Sequence, residues 1–147
     1  MDNQELHKEI DLIQGCINRM ASNSFFVKGW ALSVFAGVTA ITRGENLNNI
    51  ILLLCTTIVP FVCFWFLDAF FLQTERKYRK MYTERLTKRK DGDNSKLYEL
   101  DPSGYKVDCI FKVMWSKTLF VFYGIPLFAI IVILMFNIIK EYPSICH

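Results

Sequence analysis

NIILLLCTTIVPFVCFWFLDAFFL, residues 49–72, is an almost unbroken hydrophobic stretch that runs directly into the basic stretch QTERKYRKMYTERLTKRK, residues 73–90. About 20 apolar residues in a helix cross the ~30 Å hydrocarbon core of a bilayer. Eight Lys and Arg against two Glu then follow between positions 75 and 90, and such an excess marks the cytoplasmic side. The stretch therefore predicts a transmembrane helix that enters the cytoplasm.

A second apolar stretch, residues 118–139, predicts another span. Trp115 and Lys117 lie at one end and Lys140 and Tyr142 at the other, in the places that interfacial anchors occupy. The whole chain has 147 residues, of which 52% are hydrophobic and 15% aromatic. This composition is too apolar for an ordinary soluble domain, and membrane burial explains the excess.

The apolar stretch at residues 25–41 is the shortest, and Lys28 interrupts it one turn from its start. We favour a span, because this length reaches the lower bound and a lysine can extend its ammonium to the headgroups. A buried or interfacial helix remains an alternative. A cleaved signal sequence with a processing site at residues 38–40 is a second alternative. The polar and partly acidic segment before the apolar stretch disfavours it.

The distribution of charge orients the chain. Residues 74–117 carry twelve Lys and Arg and seven Asp and Glu, a net charge of +5, whereas residues 42–48 carry one Arg and one Glu. The predicted fold class is an all-α, multi-pass membrane protein with its N-terminus inside and its C-terminus outside; with two spans instead of three, the N-terminus would lie outside. Its predicted units are a cytoplasmic amphipathic helix at 1–23, a transmembrane hairpin at 24–73, a basic cytoplasmic helical linker at 74–117, a third transmembrane helix at 118–140 and an extracytoplasmic tail at 141–147.

The N-terminal helix is predicted from a heptad seam formed by Leu6, Ile10, Ile13, Ile17 and Met20. The seam packs against the cytoplasmic extension of the second span or lies on the membrane; a dedicated oligomerisation helix is the alternative. The extension offers an apolar stripe at Phe71, Tyr78, Met81, Tyr82 and Leu86. Ser22, Asn23 and Ser24 are N-cap candidates and predict a break before the first span.

Other residues predict helix contacts, bends and turns. Gly29, Ser33 and Gly37 repeat at every fourth position and form one small face, which contacts a helix of the same subunit or of another subunit. Pro60 predicts a kink, and Gly124 with Pro126 predicts a bend in the third span. Turns are predicted at residues 91–95 and 101–104, with an extended segment at 96–100.

Asp68 is the single acidic residue of the 49–72 stretch. A carboxylate inside a membrane is a functional candidate because charge there is costly. A helix rises ~1.5 Å per residue, so the distance of each residue from the hairpin loop can be counted along its helix. By this count Asp68 lies about 7 Å nearer the cytoplasm than the backbone of Lys28, and the side chain of a lysine is long enough to span that gap. We predict a structural ion pair of Asp68 with Lys28 or Arg19, with an ion-pathway role as the alternative.

The basic helix at residues 76–90 is a candidate binding site. A topology signal and attraction to anionic lipid explain most of its charge. In an assembly of several subunits, however, such helices would surround an axis and bind an anionic nucleotide by phosphate pairing and base stacking. The candidate ligand-binding residues are Arg76, Arg79, Lys80, Tyr82, Arg85 and Arg89.

Signatures of enzymes are missing from the sequence, which has no Gly-rich phosphate loop, no nucleophile elbow and two His. We therefore predict a non-enzyme with no metal, no cofactor and no double-stranded nucleic acid as a partner. Five cysteines give no disulfide framework, and Cys146 alone is predicted to lie outside.

The strings IQGCINRMASNSFFVKGW, residues 13–30, and FWFLDAFFLQTERKYRKMY, residues 64–82, resemble a family of small bacterial multi-span membrane proteins. The shared motifs are NSFxxKGW and FWxLDAxFLxxERxYR. The resemblance implies a polar network that joins the two spans and couples them to the cytoplasmic half, through Arg19, Lys28, Trp30, Asp68 and Glu75. Similar short membrane proteins with a cytoplasmic domain serve as membrane-disrupting effectors in antiphage systems, where nucleotide signals activate them.

The predicted function is therefore that of a homo-oligomeric inner-membrane effector or channel-like protein, gated through its cytoplasmic basic and aromatic module by an anionic nucleotide or a signalling protein. The alternative is a non-conducting membrane scaffold that recruits a cytoplasmic partner protein. An assembly subunit of a larger membrane complex is a third hypothesis.

Overall fold

The structure, a computed structural model, describes residues 3–41, 47–93 and 98–141. Its elements are the helices α1 (Asn3–Ile41), α2 (Leu47–Lys90), α3 (Ile110–Met114) and α4 (Lys117–Leu119), a π-helical turn (Phe120–Gly124) and the helix α5 (Ile125–Glu141). These described residues contain helices and connecting turns but no strand, so the predicted all-α class is confirmed. The tail at 142–147, which includes Cys146, and most of the hairpin loop lie outside the described residues.

The helices α1 and α2 form a long antiparallel pair, and a series of side-chain contacts fixes their register. Glu9 meets Arg89 near one end, Gln14 meets Tyr82 further along, and Lys28 meets Asp68 near the middle. The rings of Phe35 and Phe61 continue the series, with 6.3 Å between their centroids. The heptad seam thus packs along α2 as predicted, with Ile13 of α1 and Met81 of α2 fully buried.

The predicted break at Ser22, Asn23 and Ser24 is wrong, because α1 is continuous from Asn3 to Ile41. No proline interrupts this stretch, and isolated glycines are tolerated inside a helix that tertiary packing supports. Ser24 does not cap a helix, since its hydroxyl binds the side chain of Asp68 instead. The predicted boundary between a separate N-terminal helix and a first span therefore falls within one helix.

The helix α2 is also uninterrupted, and it runs through Pro60 to Lys90. It ends in a Schellman motif, in which Gly92 adopts a positive φ of 78° and the amide of Asp93 donates to the carbonyl of Lys88 at 3.0 Å. The predicted turn at 91–95 is present in its described part, residues 91–93. The predicted turn at 101–104 is present too, closed by a hydrogen bond of 2.9 Å from the Ser103 amide to the Asp101 carboxylate.

The C-terminal part of the chain returns along α2 in the opposite direction. The Gln73 amide donates to the carbonyl of Asp108 at 2.8 Å, and Lys80 donates to the carbonyl of Lys106 at 3.0 Å. Further along, α4, the π-helical turn and α5 follow one another without a gap, and we call residues 117–141 the third helix. The π-helical turn precedes Pro126, which lacks the N–H that an α-helical bond to Phe122 requires.

Aromatic side chains from α2 and the third helix form the core between them. Tyr123 is fully buried and stacks on Trp65, with 6.1 Å between the centroids and 12° between the planes. Phe61 meets the same tyrosine edge-on at 5.4 Å. The indole N–H of Trp65 donates to the carbonyl of Met114 at 3.0 Å. This hydrogen bond holds the C-terminal end of α3 against α2.

The small residues at the α1–α2 contact are not the predicted ones. Gly29, Ser33 and Gly37 are exposed, and a Cβ added at either glycine would meet no atom within 4 Å. A contact of this face within the subunit is therefore wrong. Ala31 and Ala69 instead lie fully buried in the core where the two helices pack.

The described molecule divides into two halves. The apolar half contains residues 25–41, 47–72 and 110–141, and the polar half contains the remaining described residues. Within the described residues, one stretch, Cys55–Lys90 in α2, is long and apolar enough to cross a membrane by length and composition. The apolar helical stretch Lys117–Val132 is shorter.

Candidate functional site

A buried carboxylate, that of Asp68, lies where α1 and α2 pack at the border of the two halves. Its side chain is fully buried, and Oδ2 lies 2.6 Å from Nζ of Lys28. The hydroxyl of Ser24 donates to Oδ1, and the Lys28 ammonium also donates to the Ser24 hydroxyl at 2.7 Å. These three side chains form a closed polar triangle, which we call the Asp68 cluster.

Helical spacing explains the Asp68 cluster. Ser24 and Lys28 are one turn apart on α1 and therefore lie on one face, which the heptad register directs at α2. Lys28 is partly exposed, so its ammonium reaches the molecular surface while it neutralises a carboxylate that is not exposed at all. The ion pair that the sequence predicts between Lys28 and Asp68 is present in the structure.

The third helix approaches the same carboxylate from the other side. The buried hydroxyl of Tyr123 interacts electrostatically with Asp68 and makes no hydrogen bond of normal geometry within the described part of the chain. The hydrogen bonds and the ion pair of the Asp68 cluster therefore join α1 and α2, while Tyr123 brings the core of the third helix up to the same carboxylate. The sequence did not identify Ser24 and Tyr123 as neighbours of Asp68, because a serine at this position is a typical helix N-cap and a tyrosine in an apolar stretch is a typical core residue.

A second buried ion pair, between Glu9 and Arg89, joins the far ends of α1 and α2 in the polar half. Both side chains are 2% exposed, and two guanidinium nitrogens donate to the two carboxylate oxygens at 2.8 Å each. Such bidentate geometry is the strong form of the contact. The hydrogen bonds from Arg89 hold the pKa of the Glu9 carboxyl below its usual value, against the opposing effect of burial.

Most of the candidate ligand-binding residues are already paired within the chain. Arg76 lies 3.4 Å from Asp108, Arg79 lies 2.7 Å from Glu75, and Arg85 is buried beside Glu99. Lys80 donates to a backbone carbonyl, Tyr82 accepts from Gln14, and Arg89 binds Glu9. Within its described part, the structure thus spreads these six residues over different neighbours.

Two residues predicted for the coupling network lie away from the Asp68 cluster. Arg19 is exposed and donates to the sulfur of Cys16 at 3.5 Å. Trp30 is 66% exposed on the outward face of α1. Neither residue joins the Asp68 cluster, because both sit at helical positions that turn away from Asp68, and their part in a coupling network stays a prediction. Glu75 is buried but binds Arg79 one turn further along α2.

A groove between α1 and α2 in the polar half contains two of the candidate residues. It has a volume of about 330 Å³ and is lined by Gln14, Ile17, Asn18, Arg79, Tyr82 and Thr83. Arg79 remains 64% exposed in spite of its contact with Glu75. This groove combines a cation, an aromatic ring and two amides, and it is the part of the predicted ligand site that the structure brings together.

Removing Lys28 from the Asp68 cluster tests its contribution to stability. We expect Lys28→Met to lower the free energy of unfolding by about 3 kcal/mol, because it leaves a buried carboxylate unpaired. The double variant Lys28→Met with Asp68→Leu should recover much of that loss. Lys88→Met, which breaks the exposed pair with Glu84, is the control and should cost less than about 1 kcal/mol. Thermal unfolding followed by circular dichroism measures all three; equal losses in Lys28→Met and Lys88→Met would contradict the role of burial.

The Glu9 and Arg89 pair should make stability depend on pH. Because folding lowers the pKa of Glu9 below its usual value of 4.5, its contribution is present above that value and is lost as the pH falls through the folded pKa. Glu9→Gln should therefore be less stable at neutral pH and lose less stability on acidification than the unsubstituted chain. Glu5→Gln, at an exposed position of α1, should follow the unsubstituted chain, and parallel acid curves for all three would contradict this assignment.

Comparison of the chain with protein-family models, with curated proteins and with solved structures gives no match. The resemblance to small bacterial membrane proteins therefore stays a prediction.

Proposed function

We propose that the chain is a multi-pass protein of the bacterial inner membrane, in which residues 25–41, 49–72 and 118–140 cross the bilayer. The observation that carries this proposal is the position of the exposed apolar side chains. Among the described residues, the large apolar side chains that are exposed lie in the apolar half, apart from Leu12 and Tyr98. Lipid solvates such a continuous surface on three elements, whereas water does not.

Exposed aromatic rings that lie at the same height along the helices support this placement. Trp30 lies two residues beyond Lys28 on α1, and Phe66 lies two residues before Asp68 on antiparallel α2, so both are at one level. The exposed ring of Trp115 lies 5.8 Å from that of Trp65, next to this level. Tryptophan concentrates at membrane interfaces. The proposed cytoplasmic interface therefore lies at the Asp68 cluster, with the N-terminus and the basic half inside.

Within that membrane we propose a homo-oligomeric effector or channel-like protein that is gated through its cytoplasmic half. Two helices support a mechanical link, because α1 and α2 cross the border of the halves without interruption. A tilt or rotation of the polar half must then move the apolar half as well. The Asp68 cluster lies at this border and ties α1 to α2, which makes it the place where such a motion would be resisted or transmitted.

The groove of Gln14, Asn18, Arg79 and Tyr82 is the proposed site of the gating ligand. An anion can compete with Glu75 for the exposed guanidinium of Arg79, while the ring of Tyr82 offers a stacking surface. This chemistry suits an anionic nucleotide, and by analogy a signal of antiphage defence. The side chains of Arg85 and Arg89 are themselves buried, and these two arginines act as structural residues in this proposal.

A non-conducting scaffold is the second candidate, and the internal pairing of the basic residues favours it. Arg76, Arg79 and Lys88 each have a carboxylate within 3.4 Å. A surface of neutralised pairs suits recognition of a protein better than capture of a small anion, because a partner protein can rearrange several weak pairs at once.

The native cysteines test the membrane placement. Cys55 and Cys63 are exposed in the structure, as is Cys109. We expect a membrane-impermeant maleimide to label Cys109 in inverted vesicles but not in intact spheroplasts of a Cys146→Ser variant, and to leave Cys55 and Cys63 unlabelled in both. Labelling of Cys55 or Cys63 in both preparations would show that lipid does not cover them and would contradict the proposal. Detergent-denatured protein is the control for total reactivity.

Dye release from liposomes tests the gated effector against the scaffold. Liposomes with the protein inserted are exposed to linear and cyclic adenine and guanine nucleotides on the side of the basic half. We expect release with at least one nucleotide, and we expect Arg79→Glu to reduce it at least tenfold without lowering insertion. Lys90→Glu, at the exposed end of α2, should behave as the unsubstituted chain. Intact liposomes under every nucleotide would favour the scaffold.

A further inference from the structure

An apolar groove runs along the outer side of the contact between α2 and the third helix. It has a volume of about 500 Å³, and all of its lining side chains are apolar. Trp65 and Trp115 form one end, Phe120 and Gly124 lie in the middle, and Phe128 and Ile131 continue it along α5. The core between the same two elements packs behind it, so the groove is open on its outer side.

The π-helical turn explains why the groove exists. The turn widens the helix at Phe120–Gly124, and Gly124 contributes no side chain at its centre. A Cβ added at Gly124 would lie 2.8 Å from a ring carbon of Phe120, so the ring lies against the bare backbone of the glycine. Any larger residue at this position would displace the ring and fill the groove.

The shape and surroundings of the groove define its occupant. From Phe120 to Ile131 it extends about 17 Å along the helix axis, at ~1.5 Å per residue. Its walls are apolar apart from the indole N–H groups of the two tryptophans, and that of Trp65 already donates to Met114, so a nucleotide or a peptide backbone would lose most of its contacts with water there. At the tryptophan end, the exposed Lys117 lies between Trp115 and Phe120 in the chain, and Lys112 of α3 is 75% exposed and held by Asp108 at 2.7 Å.

We propose that this groove binds an acyl chain of an anionic bilayer lipid, with the headgroup next to Lys117. The inference rests on the proposed membrane placement, which sets the groove along the bilayer normal and its tryptophan end at the cytoplasmic interface. The bound chain completes the packing between α2 and the third helix. The lipid thereby becomes part of the surface that covers Trp65, beside the Asp68 cluster.

Tryptophan fluorescence reports occupation of the groove directly, because Trp65 and Trp115 line it. A Trp30→Phe background removes the remaining tryptophan, which is exposed on the other side. The protein is placed in phosphatidylcholine vesicles that contain increasing fractions of phosphatidylglycerol with brominated acyl chains, and bromine quenches indole on contact. We expect quenching that saturates at a low fraction of this lipid, whereas brominated phosphatidylcholine should quench only in proportion to its fraction.

Matched variants assign the saturable quenching to the groove. Gly124→Leu fills its centre and should remove the saturable part, while Ala129→Leu, at an exposed position of α5 outside the groove, should keep it. Ile131→Phe and its neighbour Val132→Phe form a second pair, for the case that Gly124→Leu does not fold. Lys117→Gln should weaken binding of phosphatidylglycerol about fivefold, and Lys90→Gln should not change it.

Each other result overturns the inference in a distinguishable way. Proportional quenching by both lipids, unchanged in the filled variants, leaves the membrane placement intact and removes the lipid site. No quenching by either lipid removes the membrane placement and the lipid site together. Saturable quenching that survives both Gly124→Leu and Ile131→Phe places the lipid elsewhere. A changed subunit number of Gly124→Leu in native mass spectrometry, with lipid still bound, would assign the groove to a second copy of the chain.

Discussion

The buried charge of Asp68 is the constraint on which the rest of the structure depends. A carboxylate without exposure is stable only where an opposite charge and hydrogen-bond donors reach it. Lys28 and Ser24 supply these from α1, and that requirement fixes both the register and the facing side of the two long helices. One side chain thus sets how the two long helices lie together.

A second buried pair, Glu9 with Arg89, closes the far end of the same two helices. The two pairs lie on one continuous α1 and one continuous α2, and they fix these helices to each other at the end of the polar half and near the border. This arrangement suits the proposed transmission of a signal, because both helices run without a break between the two pairs, and Pro60 of α2 lies outside that stretch. The proposed acyl-chain groove is a separate, lateral feature of the third helix.

The basic residues of α2 take a different role from the one that their charge indicates. A run of Lys and Arg reads from sequence as a cationic surface, yet the structure neutralises much of it with carboxylates that come from the same helix, from α1 and from the segment after α2. Each such pair on the surface contributes little to stability. Together they leave Arg79 and Tyr82 beside an open groove, and these are the residues on which the proposed ligand site depends.

Much of the fold follows from the sequence by itself. The run of apolar residues at 49–72, the heptad seam from Leu6 to Met20 and the turn residues around Gly92 each have a local physical cause, and the structure contains the helices and the turns that they predict. The pairing of Lys28 with Asp68 follows too, because a buried charge needs a partner and helical rise limits the candidates. Tertiary structure alone decided the rest. Ser24 could cap a helix or bind Asp68, Trp30 could face the core or the outside, and Arg89 could be a ligand or the partner of Glu9. Which of these occurs depends on the faces at which the two long helices meet, and the packing of the whole chain decides those faces.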